Sequence, residues 1–339
     1  MINAAFRQLG IATALLLLWI PGRVFWPFFA GGVILVIGLW MASRIRSHPH
    51  LGSDQLIAFG PLLFAIPMAV FGADHYIAAK FVANGVPSWI PGHLFWVYFV
   101  GTALIAAALS LATGIQSRLA ATLLGVMIFL FVILIHIPNC FAIPYDKTRL
   151  TIVLRDSSLS FSALAFAASQ FRLSHPAQPP QWPARIATLI TTMARFIIGI
   201  TIAVFGIDHF LNPVAAPGIP QQNSAFVITM PHWIPAHALW SYTTGAIFIA
   251  CAFGLLAAKR ARLAATVFGT TVLVLALFVY LPITLAKPSD IANGLNYLAI
   301  HFALAGAAFF LAGALPKDVP DEVSVPERAE PSLRRVSDS

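Results

Sequence analysis

Charge is what this chain has least of. Only 9% of its residues are Asp, Glu, Lys or Arg, against about a quarter in a soluble domain. Glutamate does not occur before Glu322, and all three glutamates lie in the closing stretch KDVPDEVSVPERAEPSLRRVSDS. There are two cysteines, Cys140 and Cys251, with no CxxC pair; a disulfide framework is excluded and a dithiol redox motif is not indicated. Gly-rich phosphate loops, nucleophile elbows and Walker patterns are missing, which argues against nucleotide-dependent chemistry and against a hydrolase. The net charge of +8 resides largely in short stretches between apolar runs, a membrane-orientation pattern and not a nucleic-acid footprint.

What is present is apolar: 59% of the residues are hydrophobic and the mean hydropathy is +0.85. A membrane span needs about 20 such residues. Ten spans are expected, roughly at 4–20, 24–43, 54–79, 92–113, 118–138, 154–171, 186–210, 236–257, 262–284 and 291–314. The first resembles a signal peptide, but no small-x-small cleavage pattern follows it, so it is read as one arm of a hairpin. Arg7, Arg44, Arg46, Arg118, Arg172, Arg185, Lys259, Arg260, Arg262 and the tail would share one side, which places both termini in the cytoplasm. The loop at 139–153 runs against this bias. Arg195, inside the seventh span, reads as a side chain snorkelling to the interface. The tail is expected to be disordered.

The chain repeats itself. SRLAATLLG at 117–125 returns as ARLAATVFG at 261–269, a shift of 144. The same shift carries Pro87, Trp89, Pro91, His93, Trp96 and Gly101 onto Pro231, Trp233, Pro235, His237, Trp240 and Gly245. Upstream the shift is 134 and joins FGADHY at 71–76 to FGIDHF at 205–210, so the second copy carries a ten-residue insertion near LNPVAAPGIPQQNS. Four spans per copy keep both copies the same way up, as parallel repeats about an axis along the membrane normal. The organisation expected is an N-terminal transmembrane hairpin (1–50), two antiparallel four-helix bundles (51–175 and 183–315) and a tail (316–339), an all-α polytopic membrane protein.

The repeated pattern is F-G-x-D-H-[FY], P-x-W-I-P-x-H-x-x-W-x-Y-x-x-G, then R-L-A-A-T and a span ending in [HY]-[IL]-P. It resembles the DoxX-like family of four-helix bacterial membrane proteins, in two tandem copies over about 51–171 and 183–315. The resemblance implies a bacterial inner-membrane protein associated with redox chemistry, with quinone as a possible ligand and a membrane or periplasmic redox protein as partner. Membrane lipid is the other expected partner; nucleic acid and nucleotides are not expected.

Asp74, His75, Asp208 and His209 end spans on one side, and His93 and His237 open the next spans behind Pro91 and Pro235. Three readings stand open. One is a structural bracket between Asp74 or Asp208 and the histidine across the hairpin. Another is a small-molecule site, where histidine hydrogen-bonds a head group and exchanges protons with aspartate. The third is metal or haem, for which Asp74, His75, His93 and His136 suffice in number, although Tyr280 replaces His136 in the second copy and no ligand spacing supports it. Residues present in one copy only carry more information: His136, His232, and His301, which lies about 15 Å into the last span, where an ionisable group suggests function. Asn296 and Tyr297, and Asp156 and Ser160 in the first copy, are candidates for a polar track beside it. A non-enzymatic docking subunit and a small-solute transporter are the alternative functions.

Overall fold

The computed structural model describes residues 22–45, 52–143, 146–174, 183–220, 230, 231 and 233–317, without the side chains of 23, 45 and 170–174. The expected span 4–20 and the tail beyond 317 lie outside these. Among the described residues the fold is all helix, and nine helices are long and apolar enough to cross a membrane. The protein is an all-α polytopic membrane protein.

The spans are α1 (Gly22–Ile45), α2 (Gly60–Ile77), α3 (His93–Thr113), α4 (Ser117–Phe131), α5 (Lys147–Ser174), α6 (Ala184–Leu211), α7 (His237–Leu256), α8 (Ala261–Leu275) and α9 (Asn296–Ala314). A short helix, Ser53–Ala58, leads into α2 and is set off from it at Phe59, two residues before Pro61. Both α4 and α8 continue through one π-turn, Val132–His136 and Ala276–Tyr280, into short helices that begin at Ile137 and Leu281. Pro138 and Pro282 explain this pair. Each lacks the N–H that the carbonyl four residues earlier would need, so the helix widens by one residue there.

Helix α5, expected as the span 154–171, starts seven residues earlier than the hydropathy indicates. Asp146 precedes it, accepting from the backbone N–H groups of Thr148 (2.9 Å) and Arg149 (3.3 Å), while its second oxygen accepts from Nε of Arg149 (3.0 Å). The basic stretch that ran against the orientation bias is thus a capped first turn.

Successive helices α2 through α9 pack on one another in order, and α9 returns to α2. The last helices of the two copies, α5 and α9, also pack together, α5 against α6 and α9 against α2. The scheme is unchanged when the copies are exchanged. Residues 51–175 (unit 1) and 183–315 (unit 2) therefore do not close as separate four-helix bundles, because each first helix leans on the other unit's last helix. Small residues make this possible. A Cβ on Gly306 of α9 would lie 2.7 Å from the backbone nitrogen of Phe64 in α2, and Ala303, Ala305, Ala307, Ala308 and Ala312 are all buried. Helix α1, which has no counterpart in unit 2, lies on α2 and α3.

The end of the molecule opposite the repeated hairpins is tied by Arg262. Its guanidinium donates to the carbonyls of Ala312 (2.8 Å) and Leu315 (3.3 Å) at the end of α9 and to Asp54 (2.7 Å), which also receives Lys317 (2.9 Å). Arg195 does similar work. Its Nη1 donates to the carbonyls of Leu255 and Leu256 at the end of α7, so it caps a helix and is not merely carried to an interface.

Two outcomes follow from these contacts. Arg262→Ala should lower the thermal midpoint of the detergent-solubilised protein, by a loss of about 1–3 kcal/mol for charged hydrogen bonds left unmade, with Arg262→Lys recovering part of it. At the other end, Asp290 caps the π-turn Ile291–Leu295, accepting from the backbone and side chain of Asn293. Partial desolvation acts to raise its pKa, but the Asn293 bonds and the Lys287 charge outweigh it, and the carboxyl sits below its ordinary value of 3.8. A depressed folded-state pKa gives stabilisation that is complete above the ordinary value and lost as pH falls through the folded one. Amide exchange at 291–295 should therefore accelerate on acidification below about pH 4, and Asp290→Asn should abolish that pH dependence.

Candidate functional site

The two repeated hairpins are built alike. Gly92 and Ala236 turn the chain in the left-handed region (φ 71° and 55°), and α3 and α7 start at the next residue. Five residues after Pro91 and Pro235, the indole N–H groups of Trp96 and Trp240 donate to those prolines' carbonyls at 3.2 and 3.1 Å. Trp89 and Trp233 are exposed, as befits an interfacial aromatic belt. Behind the hairpins α2 crosses α3 and α6 crosses α7 at glycine pairs. A Cβ on Gly72 would fall 2.9 Å from the carbonyl oxygen of Gly101, and one on Gly206 3.0 Å from that of Gly245. The F-G of each D-H motif is therefore a crossing point, and the histidine three residues on sits against the opposing glycine, since a Cβ on Gly101 or Gly245 would lie 2.9 Å from the Cβ of His75 or His209.

In unit 2 the described part of the inserted segment, up to Pro220, folds back into the protein. Ala216, Pro217, Gly218, Ile219 and Pro220 are all buried. The Gly218 N–H donates to Nε2 of His209 at 2.8 Å, and the Ile219 N–H points at Nε2 of His301 at 3.4 Å. The Pro217 carbonyl accepts from the Tyr280 hydroxyl at 3.1 Å. Both imidazoles lie with Nδ1 on the carbonyl one turn back, Phe205 for His209 (2.6 Å) and Tyr297 for His301 (2.7 Å). Tyr280 stacks on His301 with ring centroids 3.8 Å apart. His301 is thus fully enclosed and bonded at both nitrogens: a core histidine satisfied by its own chain.

Unit 1 has no such segment. His75 keeps the same ring placement, Nδ1 lying 2.7 Å from the Phe71 carbonyl, but among the described residues nothing meets its Nε2. Asp74 places Oδ1 in a buried position with no partner among the described residues. Deeper along α5, Asp156 takes an imidazole and a guanidinium on one carboxylate: Nε2 of His136 lies 3.0 Å from Oδ2 and Nε of Arg155 lies 2.7 Å from Oδ1. The side chains of His136, Asp156 and Arg155 are 23%, 14% and 18% exposed. They are partly open, inside helices that cross the membrane, and the Nη groups of Arg155 meet no acceptor among the described residues. His136 stands on the π-turn at the position that Tyr280 occupies in unit 2.

The expected Asp–His bracket is not formed in unit 1, where no bond joins Asp74 to His93. In unit 2 Asp208 accepts from the Asn212 side chain at 2.8 Å. His93 and His237 open their helices, both half-buried. His232 lies outside the described residues. No three His, Cys, Asp or Glu side chains converge as a metal site would need among the described residues. Asp156 is the polar-track residue that joins a cluster, whereas Ser160 binds the Gly125 carbonyl between α4 and α5 (2.8 Å). Arg155 was missed as a site residue. Its signal was an Arg-Asp pair inside the apolar continuation of a span.

The plug makes a sharp prediction. Gly218 has φ 129°, and a Cβ there would lie 2.2 Å from Nε2 of His301. Gly218→Ala should lower the thermal midpoint, with about 1–3 kcal/mol lost to overpacking and more to backbone strain; a midpoint unchanged from wild type would show that the segment does not sit there. The chain matches no protein-family model, no curated protein and no solved structure.

Proposed function

We propose that this membrane protein binds a lipid-soluble small molecule with a quinone-type head group at the hairpin end of unit 1, as a redox-associated protein of DoxX-like type in a bacterial inner membrane, with both termini in the cytoplasm. The observation that carries the reading is the His136–Asp156–Arg155 cluster. Three ionisable side chains within membrane-crossing helices are costly to keep, and these are only partly enclosed. The carboxylate is occupied on both oxygens, so the groups left for a ligand are Nδ1 of His136 and the Nη donors of Arg155. Histidine and aspartate in contact provide a place for a proton to be given or taken beside a head group. The repeated D-H motif and the absence of any nucleotide or phosphate-binding pattern support the same reading. The rows of exposed aromatics such as Phe95, Trp96 and Phe99 suit a surrounding lipid phase from which such a ligand would enter.

The test is direct. Organic extraction of the purified protein followed by mass spectrometry should recover a quinone or its hydroquinone in roughly stoichiometric amount, and His136→Ala should reduce it about tenfold, the worth of one hydrogen bond. Asp156→Asn removes the partner of a largely buried guanidinium and should cost about 3–5 kcal/mol of stability as well as the ligand. Wild-type protein that carries neither quinone nor hydroquinone and binds neither on titration would overturn the proposal.

A further inference from the structure

The inserted segment of unit 2 is held as a ligand would be held. Two imidazoles and a phenol, which the fold brings to one spot from α6, the π-turn after α8 and α9, are met by two N–H groups and one carbonyl of Pro217, Gly218 and Ile219. The polarity of that site follows from the ring placement. Each histidine gives its Nδ1 proton to the carbonyl four residues back, so the neutral ring offers only a lone pair at Nε2. It needs a donor there, and the inserted backbone supplies one.

Unit 1 repeats the acceptor without the donor. His75 has its Nδ1 on Phe71 as His209 has on Phe205, and its Cβ lies against Gly101 as that of His209 lies against Gly245. The chain between α2 and α3 lacks the insertion, and no N–H or O–H among the described residues reaches Nε2 of His75. His136 takes Tyr280's position. With its Nε2–H directed to Asp156, the neutral His136 ring likewise leaves a lone pair, at Nδ1. By the repeat, the unit 1 counterpart of the filled site presents the imidazoles of His75 and His136, with the guanidinium of Arg155 on the carboxylate that His136 shares.

We propose that unit 1 binds, at the position equivalent to Gly218, a molecule that donates a hydroxyl proton to Nε2 of His75. For the head-group class argued above, on which this inference rests, that means the hydroquinone form and not the quinone. At Nε2 of His75 a quinone carbonyl would set lone pair against lone pair, whereas the Nη donors of Arg155 can serve either form. A hydroquinone of the same size and lipid solubility presents an O–H where unit 2 presents the Gly218 N–H.

The experiment compares three probes on the full-length wild-type chain in detergent, anaerobically at pH 8, where an ordinary histidine is neutral. They are a decyl-substituted hydroquinone, the matching quinone, and the hydroquinone's bis-methyl ether, each titrated by isothermal calorimetry. The hydroquinone should bind about tenfold or more tighter than either of the others, as expected where a ligand donor satisfies a protein acceptor. His75→Phe should bring hydroquinone and quinone to equal affinity; because the wild-type probe series decides the question, a poorly folded variant does not. Equal binding of hydroquinone and quinone by the wild type, or tighter binding of the quinone, overturns the donor assignment while leaving a small-molecule site in place. Failure of all three to bind removes the site and this inference together.

Discussion

Gly72 lies so close to the carbonyl of Gly101, and Gly206 to that of Gly245, that neither crossing admits a single added carbon. These two contacts fix the angle and height at which α2 meets α3 and α6 meets α7, and hence where the following Asp-His pair comes to rest. Packing in a lipid phase has no hydrophobic drive between helices, so backbone-to-backbone approach at small residues takes its place. One turn beyond each crossing, the histidine is forced against the opposing glycine with its ring folded back on its own helix. That ring placement sets which nitrogen is donor and which is acceptor, and the chemistry of both units starts from it.

Much of this was legible in the sequence because it is carried by periodicity and by repetition. Apolar runs of span length locate the nine described helices closely, and the 144-residue shift places the hairpins, the π-turns and their prolines in register. What was not legible depends on long-range contact. The motif Asp74-His75 looked like a partner for His93, but a residue ending one helix and another opening the next are not brought together by the turn that joins them. His301, a lone ionisable residue deep in a span, looked functional. The contact that accounts for it comes from Ile219, 82 residues earlier, in a segment whose composition reads as an exposed loop. Arg155 was hidden because the helix containing it begins at a polar stretch, which an aspartate cap holds in helical form.

The two copies diverge around a common frame. Exchange of units preserves the helix contacts, the tryptophan bonds at the hairpins, the widened turns before Pro138 and Pro282 and the histidine at each first crossing. Divergence is concentrated at the residue on the π-turn, at the residues of α5 and α9 beside it, and in the connection after α6. In unit 1 these positions hold charge: His136, Arg155 and Asp156. In unit 2 they hold an aromatic stack, Tyr280 on His301, closed over by backbone. One unit carries a polar interior where the other holds packing.

The inserted connection has a consequence for how the protein responds to its surroundings. Gly218 is only nine residues from the His209 ring that it serves, and a tether that short keeps a group at an effective concentration of the order of millimolar or more. No dissolved or membrane-borne competitor needs to be present for unit 2 to be filled, and dilution cannot empty it. Its contribution to α6, α8 and α9 is therefore constant, independent of the supply of small molecules in the membrane, and any response of the protein to that supply originates in one half of the molecule.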